Sequence, residues 1–201
     1  LILPSRAFYR QLSRLFAPWG GELEPTAGVL HALLEGQNSV EIVMEYHLDG
    51  RMDEYPVLVL PEWDGLAPAF RRRLLDYVRR GGKLLVVGAA AARPFCQALR
   101  VRPLGRPEVR RRWLEHDGWL AGVEAPHQRV KLGRGARAFG RLFAEDDVVG
   151  PHDVAASIAP LGKGRIAAVY LDLGRRYCRA RTAVVRDFLG ALVRELFPRP
   201  M

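Results

Sequence analysis

Residues 55–88, YPVLVLPEWDGLAPAFRRRLLDYVRRGGKLLVVG, read as a complete strand, helix, strand unit with every boundary marked. Residues 57–60 form an unbroken apolar run ending at Pro61, and residues 84–87 form a second ending at Gly88. Short β-branched runs without alternation suit strands covered on both faces, so both are expected to be central and parallel. Between them Phe70, Leu74, Tyr77 and Val78 recur at helical spacing. Pro68 is placed to start that helix, arginines at 71–73 and 79–80 mark its wet side, and Gly81 and Gly82 stop it. A right-handed crossover joins such strands.

Working outward, residues 1–3 are expected to be a first strand, and Pro4 with Ser5 the turn into a helix carrying Phe8, Leu12, Leu15 and Phe16, with Ser5 available as its cap. A second helix carries Val29, Leu30, Leu33 and Leu34 and stops near Gly36, and residues 40–44 read as the next strand. Beyond Gly88, the alanines at 89–92 followed by Phe95, Cys96 and Leu99 predict another helix, with Pro94 near its first turn. From about residue 101 to 155 helical periodicity fades and Gly and Pro recur, which predicts an irregular or β-rich insertion. Residues 157–161 and 165–171 around Gly162-Lys163-Gly164 carry a hairpin signal, and a stripe from Val184 to Leu196 predicts a closing helix. The sum is alternating β and α with a parallel core and an antiparallel hairpin added at one edge.

With 201 residues and 49% hydrophobic content the chain can bury one core, so a single domain over 1–201 is expected. The strand that begins without preamble and the Pro-rich end suggest a domain excised from a longer protein. No apolar run approaches the ~20 residues that cross a bilayer, and no membrane partner is expected. The formal charge of +9 invites a nucleic-acid partner. Against it, the excess is almost all arginine, scattered through every helix without aromatic interleaving or a nucleic-acid motif, so no nucleic acid is expected. Cys96 and Cys178 are too few for a disulfide framework and lack metal spacing, which points to ordinary thiols of a reducing, cytoplasmic compartment, with one bridge between them left open.

Ligands of open α/β sheets collect beyond the carboxyl ends of the strands, which selects Ser5, Glu62, Trp63, Asp64 and Asp172 as ligand-binding candidates. Two carboxylates beside an indole can orient sugar hydroxyls, and the same three residues can equally form a turn with Trp63 packed over the sheet end. The position after residues 84–87, where a strand-to-helix elbow presents a nucleophile, holds Gly88 and a run of alanines, so no catalytic residue is assigned. The five histidines show no close-spaced pair of the kind zinc enzymes use, and the acidic run 145–147 has no calcium-loop spacing. Neither Gly162-Lys163-Gly164 nor Gly133-Arg134-Gly135 completes a phosphate or dinucleotide fingerprint, and no cofactor or metal is expected. Trp113 and Trp119 read either as sugar platforms or as anchors of an irregular region.

The central unit at 55–88, then APLGKGRIAAVYLDLG at 159–174, then a terminal helix ending VRELFP resemble the class I glutamine amidotransferase-like domains that accompany glycoside hydrolases. The beta-galactosidase trimerisation domain is the best-known member of that group. The likeness covers roughly residues 1–99 and 156–197. It implies a flavodoxin-like three-layer α/β/α sandwich with a mostly parallel sheet. True amidotransferases of this fold carry a Cys at the elbow and a late His-Glu pair. Here Ala89 or Ala90 stands at the elbow and residues 171–178 contain no His, which argues against glutamine hydrolysis.

The resemblance therefore implies a non-catalytic accessory domain of a beta-galactosidase- or fucosidase-like enzyme. Such a domain mediates oligomerisation or contributes loops to a carbohydrate site, and its partners are neighbouring domains of the same polypeptide, further copies of itself, and carbohydrate. Two other classes stay open: an independent hydrolase using Ser5, Cys96 or Cys178 with a distant His, and a sugar or small-ligand binding module.

Overall fold

The computed structural model describes residues 1–3, 23–63 and 65–198. Strand β1 (Ile2–Leu3) pairs in parallel with β2 (Val43–Met44), and between them in sequence lies helix α1 (Glu24–Glu35), which buries Val29, Ala32 and Leu33 and ends at Gly36 as its pattern requires. The helix expected on Phe8, Leu12, Leu15 and Phe16 lies outside the described residues. The central unit folds as read. Strand β3 (Leu58–Leu60) and strand β4 (Lys83–Val87) are parallel neighbours, and α2 (Pro68–Arg80) between them turns Phe70, Leu74, Tyr77 and Val78 inward.

After Gly88 the expected single helix is broken. It runs as α3 (Ala89–Ala92), a 3-10 turn at Arg93–Phe95 and α4 (Cys96–Leu99). Pro94 sits inside that turn, where its missing N–H breaks the regular ladder. The chain then makes β5 (Val101–Pro103), β6 (Glu108–His116), β7 (Trp119–His127), β8 (Val130–Leu132), β9 (Arg137–Phe143), β10 (His152–Leu161) and β11 (Gly164–Val169). Helices α5 (Leu173–Arg179) and α6 (Ala183–Leu196) close it.

The flavodoxin-like, mostly parallel sandwich is overturned by the order of the main sheet, β3-β4-β11-β10-β9-β6-β7. Its first two pairings are parallel and the remaining four are antiparallel, so the sheet is mixed. The hairpin β10–β11 also sits in the middle of the sheet, joining the two halves, and not at an edge. The physical reason lies in the connections. Parallel neighbours need a crossover of a dozen or more residues, whereas β6 and β7 are joined by Asp117-Gly118, both at positive φ, and β10 and β11 by Gly162-Lys163. Turns that tight force antiparallel pairing.

The sheet is also strongly curled. The far end of β7 returns to the chain leaving β11: Gln128 N–H donates to Tyr170 O at 2.9 Å, Asp172 N–H donates to Pro126 O at 3.1 Å, and His127 bridges Leu171. The seven-stranded sheet thus curls into a half-barrel. Two cores result. One face of the sheet packs against α1, α5 and α6, with Phe188, Leu189 and Leu192 of α6 reaching Leu114, Val123 and Leu142. The other carries Leu58, Leu60, Leu84 and Val86 against Phe70, Leu74, Phe95 and Leu99. Double coverage explains why β3 and β4 carry no polar alternation.

Candidate functional site

The carboxyl ends of β3, β4 and β11 meet at the elbow after β4. Gly88 adopts a φ of 113°, and a Cβ there would stand 2.7 Å from Glu62 Cγ, so the turn is open only to glycine. Its N–H donates to Val169 O at 3.0 Å, and the next N–H, of Ala89, donates to Asp172 Oδ1 at 2.9 Å. Glu62, in the turn after β3, accepts the N–H groups of Gly174 and Arg175 in the first turn of α5. A carboxylate at a helix start takes up backbone donors that have no partner within the helix and suits its dipole. The two part-buried acids tie the ends of three elements together.

Their electrostatics oppose that arrangement. Burial, and next the charge of Asp172, push the Glu62 carboxyl up to about 8, against the pull of the Arg175 and Gly174 N–H groups. Burial likewise raises Asp172, offset by the Ala89 N–H and by Arg175. Neighbouring carboxyls that resist ionising are the pattern from which acid–base pairs are built, but they arise in structural networks too. Here each acid is already engaged by backbone donors.

Asp172 also faces a cleft of about 410 Å³, to which Glu124 of β7 and Arg175, Arg176 and Arg179 of α5 contribute. Arg176 is held in place by the carbonyls of Ala180 and Gly122, at 3.1 and 3.3 Å, and Arg179 by Glu24 at 2.8 Å. Of the residues selected from sequence, Glu62 and Asp172 are brought together. Trp63 is adjacent but only 2% exposed, so its ring presents no open face. Ser5 and Asp64 lie outside the described residues. Cys96 is part-buried with Sγ 3.8 Å from Ala92 O, and burial raises its thiol. Among the described residues, no group of three or more His, Cys, Asp or Glu side chains is arranged to hold a metal ion.

The arginines and Glu124 are not among the residues selected from sequence, because the pattern predicts no helix between the hairpin at 157–171 and the closing helix. The signal for it was Leu173 and Tyr177, four residues apart and both buried.

No protein-family model and no curated protein sequence matches the chain. Solved structures share its fold. The exo-beta-1,4-mannosidase Op5Man5 from Opitutaceae bacterium strain TAV5 superposes with a TM-score of 0.68 at 13% identity, over 98% of this chain and 35% of that one. Gan42B, a GH42 beta-galactosidase from G. stearothermophilus, gives 0.61 at 16% identity over 87% of this chain and 26% of its own. The alpha-L-fucosidase isoenzyme 2 of Paenibacillus thiaminolyticus gives 0.61 at 18% over 84% and 28%. The chain therefore spans about a quarter to a third of these glycoside hydrolases, and at such identities the likeness is one of fold. No helix among the described residues is long and apolar enough to cross a membrane.

Proposed function

We propose that this chain is a non-catalytic accessory domain of a glycoside hydrolase, serving the enzyme's assembly or lending loops to its carbohydrate site. The observation that carries this reading is the elbow. Where a nucleophile would be presented there is Ala89, and its N–H, a natural oxyanion donor, is already bound by Asp172. The fold's recurrence in a mannosidase, a galactosidase and a fucosidase supports a framework role, since those substrates have little in common beyond being glycosides. The cleft beside Asp172, with carboxylates and fixed arginines at the strand ends, supplies the loops. Kinship with amidotransferase-like domains, a cytoplasmic location, and neighbouring domains or further copies as partners belong to the same proposal.

The test is an assay of the purified chain against aryl β-galactoside, β-mannoside and α-L-fucoside, and against glutamine. No turnover above buffer is expected. Turnover that the double substitution Glu62→Ala, Asp172→Ala abolishes would overturn the proposal.

A further inference from the structure

A second cleft, of about 580 Å³, lies away from the strand ends, between the close of α4 and the ribbon β5–β8. Arg100, Arg102 and Lys131 line it together with Cys96, Gln97 and Leu132, and no carboxylate does. Some arginines elsewhere take acidic partners: Arg73 pairs with Asp49, Arg80 with Asp53, and Arg129, two residues before Lys131, with Asp153 at 3.0 Å. Arg100, Arg102 and Lys131 have no such partner among the described residues.

Two features show that this charge is built in. First, Arg102 and Lys131 are direct cross-strand partners in a separate two-stranded sheet. Like charges directly opposite on a sheet destabilise it, and a ribbon this short has little pairing to offset them. Second, Arg100 closes α4 in the left-handed region, at φ 55°, with its carbonyl accepting the Gly133 N–H at 2.8 Å. Its guanidinium occupies room that the facing loop leaves: at Gly135, φ 86°, a Cβ would stand 2.2 Å from Arg100 Nη1. The φ of Gly135 itself calls for glycine, and the flexible end of Arg100 lies against it. Arg102 and Lys131, directly opposite one another, lie on the same face of the ribbon.

We propose that this cleft binds an oxyanion, a sulfate, phosphate or carboxylate group carried by a small ligand. The two arginines supply planar donors that match such a group bidentately, and Lys131 adds a point charge. The site is independent of the elbow and of the accessory-domain reading.

The experiment compares the melting temperature and calorimetric titration of the full chain in inorganic sulfate, inorganic phosphate and glucuronate against chloride at matched ionic strength. At least one oxyanion is expected to raise the melting temperature saturably, and the one that does so most strongly identifies the group. In the Arg102→Gln, Lys131→Gln variant that binding is expected to weaken by about tenfold or more, the equivalent of one charge-assisted contact. All three cations are exposed, so the variant should fold, and in chloride alone its melting temperature should equal or exceed that of the parent. An equal response to chloride at matched ionic strength would reduce the effect to screening and overturn the proposal. So would a variant that keeps the oxyanion response.

Discussion

Glu62 is the residue on which the strand ends turn, and its ionisation sets a measurable pH dependence. Its carboxyl is pushed up to about 8 in the folded chain from an ordinary value of 4.5. Between those limits the folded state holds a proton the unfolded state has released, so stability falls as pH rises from about 4.5 to 8 and is level above. Asp172, raised in the same direction by its burial, contributes a slope of the same sign. Glu62→Gln keeps an acceptor for the Gly174 and Arg175 N–H groups and cannot ionise. Its melting temperature should decline less than the parent's across that window. A parallel or steeper decline would mean that Glu62 is ionised throughout, held by its two backbone donors. That Glu62 and Asp172 share a site was legible from their places after two strands. That they engage backbone donors was not, because α5 had not been recognised.

At the scale of elements, the contact that places α5 is glycine against glycine. A Cβ on Gly28 of α1 would fall 1.7 Å from Gly174 O, and one on Gly174 would fall 2.4 Å from Pro25 O. The two backbones touch, and that closeness brings the first turn of α5 onto Glu62. Gly28→Ala should cost about 3 kcal/mol, the upper part of the range for overpacking, because the atom met is backbone and cannot swing aside. Chemical denaturation reads it directly, and a loss under about 0.5 kcal/mol would show that the helices slide apart freely. Sequence patterns expose such contacts poorly. Gly28 stands in a helical stripe where it reads as a weak helix former, and its reason lies more than a hundred residues away. The arginines at 175, 176 and 179 mask α5 in the same manner, since in so short and basic a stretch Leu173 and Tyr177 are the only large apolar residues at helical spacing.

For the whole molecule, the parallel core was legible because each of its boundaries has a local cause: Pro68, Gly81, Gly82 and the doubly covered runs of β3 and β4. The antiparallel half was less so. Asp117-Gly118 is a strong two-residue hairpin signal, but the arginines of β6 and the His116 and Trp119 that flank it obscure the alternation of Leu114, Ala121, Val123 and Ala125. Curling also leaves the sheet an edge to manage, at β7. The carbonyls of Gly122 and Pro126 there are taken by Arg176 and by the Asp172 N–H, which blunts that edge against pairing with another chain. The hairpin tip is not covered: Trp119 is 73% exposed. On the accessory-domain reading, the proposed contact with a second copy would anchor on Trp119. A charge of +9 on each copy opposes that contact, so salt should strengthen it by screening the repulsion. Light scattering across about a tenfold concentration range at two salt levels should therefore show a mass that rises with both, and Trp119→Glu should return it to the monomer. A parent chain that stays monomeric at both salt levels would remove self-assembly as this domain's own property. The exposed tryptophan would then be left to dock against a neighbouring domain of the same polypeptide, where tethering replaces concentration.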